Sequence, residues 1–152
     1  AFYLPALLAS ENDIKNFSMT GQRRDLNREK FKSENLLAVL NNPESNANKN
    51  LKYLRNAMDV RSELKQFHPC SEMKCLSKGR SDIVVIKRSK GPESVFAIHN
   101  MTENKINYQL NDNDLPKIID NDFNTHDFLT STKYNCKNIS LDPFQVIWLS
   151  AL

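Results

Sequence analysis

The chain has 152 residues and 17.5 kDa, with 39% hydrophobic and 26% charged side chains, three Gly and six Pro. That length holds one domain or pieces of two, and the composition is too apolar and aromatic for a disordered chain, so a packed core is expected. No window approaches the roughly 18 consecutive apolar residues of a membrane-spanning helix. The net charge of +3 comes from basic residues spread along the chain rather than a dense stripe, so neither a nucleic-acid nor a membrane partner is expected.

In chain order, Ala1 to Ala9 is an apolar run without an N-cap and reads as a buried strand. A chain that opens on core residues is expected to be a fragment of something longer. Ser10-Glu11-Asn12-Asp13 is a polar loop, and Asp13 is placed to cap a short helix through Ile14 and Phe17. A dense polar run follows, with Gln22, Arg23, Arg24, Asp25, Asn27, Arg28 and Glu29 around a single Leu26. Such a run directly after a core strand is where α/β proteins place their site loops.

Ser33 is expected to cap a helix whose apolar positions are Leu36, Leu37, Val39 and Leu40, ended by Asn41-Asn42-Pro43. A second helix is predicted from Asn46 to Phe67, because Leu51, Leu54, Ala57 or Met58, Val60, Leu64 and Phe67 recur at steps of three and four. Pro69 stops it.

From Cys70 onward the period is that of strands. Asp82–Arg88 and Ser94–Asn100 flank a Lys90-Gly91-Pro92 turn and read as a hairpin. Ile106–Leu110, Asp127–Thr130, Lys137–Leu141 and Gln145–Leu149 are further candidates, and Asn111 to His126 should be an irregular connection. The layout is a strand, a polar loop, two helices and then five to seven antiparallel strands. The domains expected are residues 1–69 and 70–152.

Cys70, Cys75 and Cys136 are an odd number. With no signal peptide in view, they are expected to be reduced thiols of a cytoplasmic protein. Cys70 and Cys75 beside His68 have the spacing of half a zinc site, but no second pair follows, so no metal is expected. Asn100-Met101-Thr102 and Asn138-Ile139-Ser140 fit the glycosylation pattern, and without a secretion signal they carry no weight. His99 reads as a structural histidine on a strand and His126 as exposed. Trp148, Tyr108 and Phe128 read as core of the β domain rather than a carbohydrate surface.

Several of these segments together resemble the sucrose phosphorylases of the α-amylase family. The family has a strand leading to a Gly/Ser-x-Asn-Asp loop, matched by Ser10-Glu11-Asn12-Asp13. Its Thr-Gly-x-x-Arg-x-Ile/Leu-Asn-Arg motif is matched by Thr20-Gly21-Gln22-Arg23-Arg24-Asp25-Leu26-Asn27-Arg28. Phe67-His68-Pro69 resembles the end of its last barrel helix, Ala97-Ile98-His99-Asn100-Met101-Thr102 a strand of its C-terminal β domain, and Asp142–Leu149 its chain ending.

The resemblance implies the last strand and helices of a (β/α)₈ barrel, followed by an all-β antiparallel C-terminal domain. It also implies a retaining glycoside phosphorylase, reversibly moving a glucosyl unit from sucrose, sucrose 6-phosphate or glucosylglycerate to phosphate. Its carboxylate nucleophile, its Glu acid/base and a sugar-binding Asp would all lie on earlier strands, so this chain would hold no catalytic residue. The implied sugar-binding residue is Arg24, with Asn12 and Asp13 shaping the loop around the substrate. Asn27 and Arg28 would anchor that loop. The implied partners are a small-molecule sugar, phosphate and the missing N-terminal part of the same barrel, with no cofactor. A hydrolase or transglucosidase of the same family, or a non-catalytic β-domain binding module, are the alternative readings.

Overall fold

The computed structural model describes residues 3–27, 30–115 and 124–151. Arg28 and Glu29 of the polar run, Ala1 and Phe2 of the opening, and residues 116–123 of the Asn-rich connection lie outside the described residues. Two compact units divide the chain, Ala1–Asp59 and Val60–Leu152.

The regular elements among the described residues of the first unit are all helical: α1 (Leu4–Leu7), α2 (Ile14–Thr20), a 3-10 turn (Arg23–Asp25), α3 (Ser33–Asn41) and most of α4 (Asn46–Glu63). The strand expected over Ala1 to Ala9 is corrected here to the single helical turn α1. A strand needs a neighbour to take its N–H and C=O groups, and no strand lies among the described residues of this unit. A turn satisfies those groups locally, with Leu7 N–H on the Tyr3 carbonyl (3.0 Å) and Leu8 N–H on the Leu4 carbonyl (3.0 Å). Pro5 sits in its first turn, where a missing N–H costs nothing. Asn50 of α4 donates through Nδ2 to the Leu7 carbonyl at 2.7 Å, satisfying one of the free acceptors at the end of α1.

Asp13 caps α2 as expected, its Oδ1 accepting from the Asn16 amide at 2.9 Å. Ser33 is not the cap of α3: it is the first helical residue, and the Lys32 carbonyl accepts the first bond, from Leu36 N–H at 2.9 Å. Ser45 caps α4 instead, its Oγ accepting from the Asn48 amide at 3.1 Å. The regular helix α4 stops at Glu63, because Leu64 is extended (φ −88°, ψ 105°), and a 3-10 turn, Lys65–Phe67, follows.

The second unit is built on a four-stranded antiparallel sheet in the order β1 (Glu72–Cys75), β2 (Ile83–Lys90), β3 (Glu93–Asn100), β8 (Val146–Ala151). Two small ladders add β4 (Ile106–Tyr108) with β7 (Ile139–Leu141), and β5 (Asn124–His126) with β6 (Lys133–Asn135). Alternation along β2, β3 and β8 sends Ile83, Val85, Phe96, Ile98, Ile147 and Leu149 to one face, where they join Leu110, Cys136, Ile139 and Leu141 in a single core.

The predicted hairpin, β4, β7 and β8 are all present. Asp127–Thr130 is not a strand: Asp127 makes one bridge to Leu149, and the chain then turns. Strand β1 carries no periodic pattern, all four residues being exposed, and could not be read in advance.

Gln66, Phe67 and His68, after the end of α4, contact the sheet of this second unit. Gln66 is buried, the Phe67 ring lies 4.7 Å from that of Trp148, and Arg88 donates to the Gln66 carbonyl (3.1 Å) and the His68 carbonyl (2.7 Å).

Candidate functional site

The polar run folds into a loop closed by its own backbone. The Asp13 amide donates to the Leu26 carbonyl at 2.6 Å, so the loop's ends meet. Helix α2 fills the first half and ends at Gly21, which is left-handed (φ 65°) and donates to the Phe17 carbonyl at 2.8 Å. A side chain there would strain the backbone, which is why a helix reversal of this shape uses glycine. Gln22 is extended, and Arg23–Asp25 form a 3-10 turn.

Three side-chain contacts secure this loop. Tyr3 Oη donates to the Asn27 carbonyl at 2.8 Å. The Thr20 hydroxyl donates to Asp25 Oδ2 at 2.7 Å. The Gln22 amide donates to Thr20 Oγ1 at 3.3 Å.

Arg23 and Arg24 both stand exposed on the 3-10 turn, and neither guanidinium has a hydrogen bond or ion pair among the described residues. Asp13 is committed to capping α2. Asn12 is exposed and lines a small cleft of about 210 Å³ with Tyr3, Ser10 and Asn27. A larger cleft of about 670 Å³ lies between the Leu8–Glu11 turn and residues Phe31, Leu36, Val39 and Ala47. Its lining is mainly apolar, and neither cleft is lined by Arg24 or Asp13. Arg24, Asp13 and Asn12 thus share one loop, and neither of these two clefts gathers all three. Asn27 offers only its backbone to the staple from Tyr3, and Arg28 lies outside the described residues.

The anchoring roles of Tyr3, Thr20 and Asp25 were not legible beforehand. The Thr-Gly pair is the signal that could have marked the helix end.

In the second unit the singled-out residues are structural. Asn100 is buried and fully bonded: its Nδ2 donates to the Asn104 carbonyl (2.7 Å) and the Asp142 carbonyl (2.8 Å), and its Oδ1 accepts from the Thr102 amide (2.9 Å). Asp127 is fully buried, and its carboxylate accepts from the Trp148 amide (2.7 Å), the Leu129 amide (3.2 Å) and Thr130 Oγ1 (2.7 Å). His99 is half-buried on β3 opposite Val84 and Val146, and burial pushes its pKa below the ordinary value.

Cys70 and Cys75 are free and exposed, and Cys136 belongs to the core. A hydrogen bond from Ser77 is the main cause that lowers the Cys75 thiol's pKa. Among the described residues no cluster of three or more His, Cys, Asp or Glu is placed to hold a metal ion. No helix of the described residues is long and apolar enough to cross a membrane.

Comparison with known proteins bears on both units. No family model matches the chain. The chain is 32% identical over 101 residues to glucosylglycerate phosphorylase of Allomeiothermus silvanus, a match covering 66% of this chain and 18% of that protein. It therefore spans under one fifth of the relative's length.

In fold, the chain is similar to AmyP, solved in complex with maltotriose, with a TM-score of 0.57 and 18% identity over 72% of this chain and 22% of that one. It is also similar to the trehalose-6-phosphate hydrolase of Bacillus licheniformis, with a TM-score of 0.52 and 19% identity over 74% of this chain and 19% of that one. Each match is longer than the β-rich unit, so each includes part of the helical one.

The sequence resemblance to the sucrose phosphorylase group of the α-amylase family is thereby shown. In fold the chain is similar to part of these α-amylase-family enzymes, and the antiparallel sheets of its second unit are consistent with a C-terminal β domain.

Proposed function

We propose that the chain is the C-terminal portion of a retaining glycoside phosphorylase. Residues 1–69 would complete its barrel and residues 70–152 form its β domain. The match to a glucosylglycerate phosphorylase carries this reading. The whole enzyme would transfer a glucosyl unit between an α-glucoside, such as glucosylglycerate, sucrose or sucrose 6-phosphate, and phosphate, in the cytoplasm.

In such a mechanism one carboxylate attacks the anomeric carbon as an acid protonates the departing oxygen. Phosphate then displaces the carboxylate with overall retention. Those carboxylates would lie in the upstream part of the barrel. What this chain would add is Arg24, whose planar fork of donors suits a sugar hydroxyl and a neighbouring carboxylate together. Its exposed position on a stapled turn, without a partner among the described residues, supports that role. Asn12 and Asp13 would shape the loop around the sugar, Asp13 through the α2 cap.

The test is product analysis. The longer enzyme, given glucosylglycerate or sucrose with phosphate, should release glucose 1-phosphate, whereas the 152-residue chain alone should release none. Activity that follows the isolated chain through purification would overturn this assignment.

Hydrolysis is the second reading, favoured by the fold shared with a trehalose-6-phosphate hydrolase. Free glucose formed in the presence of phosphate, with no glucose 1-phosphate, would establish it.

A further inference from the structure

Arg24 stands on a turn that should not hold itself well. A 3-10 turn of three residues has two internal bonds here, Asp25 N–H to the Gln22 carbonyl (2.9 Å) and Leu26 N–H to the Arg23 carbonyl (3.3 Å). Short 3-10 segments have poor hydrogen-bond geometry and little cooperativity. Behind the turn lies Gly21, whose missing Cβ would meet nothing within 4 Å, so packing does not restrain that pivot.

We propose that Thr20 and Asp25 are positioning residues for Arg24, forming a hydroxyl–carboxylate latch across the Gly21 pivot. The proposal rests on the reading that Arg24 contacts the donor sugar. The Thr20–Asp25 contact, at 2.7 Å, is the one side chain to side chain hydrogen bond among the described residues of the loop. The Asn16 carbonyl is also within reach of the hydroxyl at 3.1 Å. A threonine has a single proton to donate, and the shorter contact to a charged acceptor holds it more strongly.

The same oxygen accepts from the Gln22 amide at 3.3 Å, so Thr20 touches both the entry to the turn and its last residue. Tyr3 and the Asp13–Leu26 backbone bond fix the far side. The turn is therefore braced on both sides while its two arginines have no described partner. That is the arrangement of a group set in place before its ligand arrives, which lowers the ordering cost of binding.

The latch is tested first in the chain as it stands, by hydrogen exchange at the Asp25 and Leu26 amides. Thr20→Val should speed both on the order of tenfold. Thr20→Ser, which keeps the hydroxyl, should restore slow exchange, and Asp25→Asn should fall between. Unchanged exchange in Thr20→Val overturns the latch.

The coupling to Arg24 is tested by a double-mutant cycle on glucosyl transfer by the longer enzyme. Thr20→Val should lower kcat/KM about tenfold when Arg24 is present and hardly at all in an Arg24→Ala background. Equal losses in both backgrounds overturn the positioning role while leaving the sugar contact standing. Unchanged kcat/KM in Arg24→Ala overturns the sugar contact itself.

Discussion

Arg23 and Arg24 are neighbours of identical chemistry, both exposed on one 3-10 turn, so a functional difference between them must come from direction alone. If Arg24 grips the donor sugar, Arg24→Ala should lower kcat/KM by about two orders of magnitude, on the order of 2–4 kcal/mol, because a charge-assisted contact is lost. Arg23→Ala should do far less, and steady-state kinetics of the longer enzyme separates the two.

His99 makes a second residue-scale statement. Half-buried between Val84 and Val146, its imidazolium is disfavoured by burial, so its folded pKa lies below the unfolded value near 6.5. The unfolded chain then binds the proton first as pH falls. The resulting contribution to stability is complete above about pH 6.5 and is lost as pH falls through the folded value. Urea unfolding from about pH 7 to about pH 5 should show this loss, and His99→Gln should flatten it.

At the scale of elements, loops are held by buried polar side chains that no periodicity reveals. Asp127 binds the turn after β5 to β8 through three donors, two of them backbone amides. Asp127→Ala would leave the Trp148 amide without its acceptor, and should cost about 3 kcal/mol of stability in urea unfolding. Asp127→Asn keeps one oxygen for that amide and should cost less. Equal midpoints for the wild type and Asp127→Ala would show that the carboxylate does not hold this turn.

Asn100 does the same work at the end of β3, joining it to the following loop and to the turn before β8. The Asn-Met-Thr match in the β domain is therefore a mark of architecture and carries no information on substrate. The opening segment shows the opposite dependence. Its apolar side chains suit a strand, but with no strand beside it among the described residues the segment takes the helical turn that serves its own hydrogen bonds.

For the whole molecule, the division into compact units follows packing rather than the end of the predicted helix. Gln66, Phe67 and the carbonyls held by Arg88 belong with the sheet. A chain of residues 60–152 should therefore unfold at higher urea than one of residues 71–152. The difference should be on the order of 2–4 kcal/mol, from the lost aromatic stack and two charge-assisted hydrogen bonds. Matching midpoints would show that the 3-10 turn contributes nothing to the sheet.

The amino-acid sequence alone determined the class of each long element: β2, β3 and β8 from β-branched runs, and α4 from its apolar steps of three and four. It also located the polar loop and, through the Thr20 to Arg28 motif, the family resemblance. These features are local, set by side-chain period and turn chemistry within a few residues.

Only the tertiary structure decided the rest. β1 is a strand because β2 lies beside it, with Lys74 opposite Lys87 and Cys75 opposite Ile86. Asn100 and Asp127 find their partners up to 42 and 21 residues away. The Arg24 turn is braced by Tyr3, 24 residues before the carbonyl it reaches. Contacts of that span are fixed by which surfaces meet in the fold, and no local pattern along the chain encodes them.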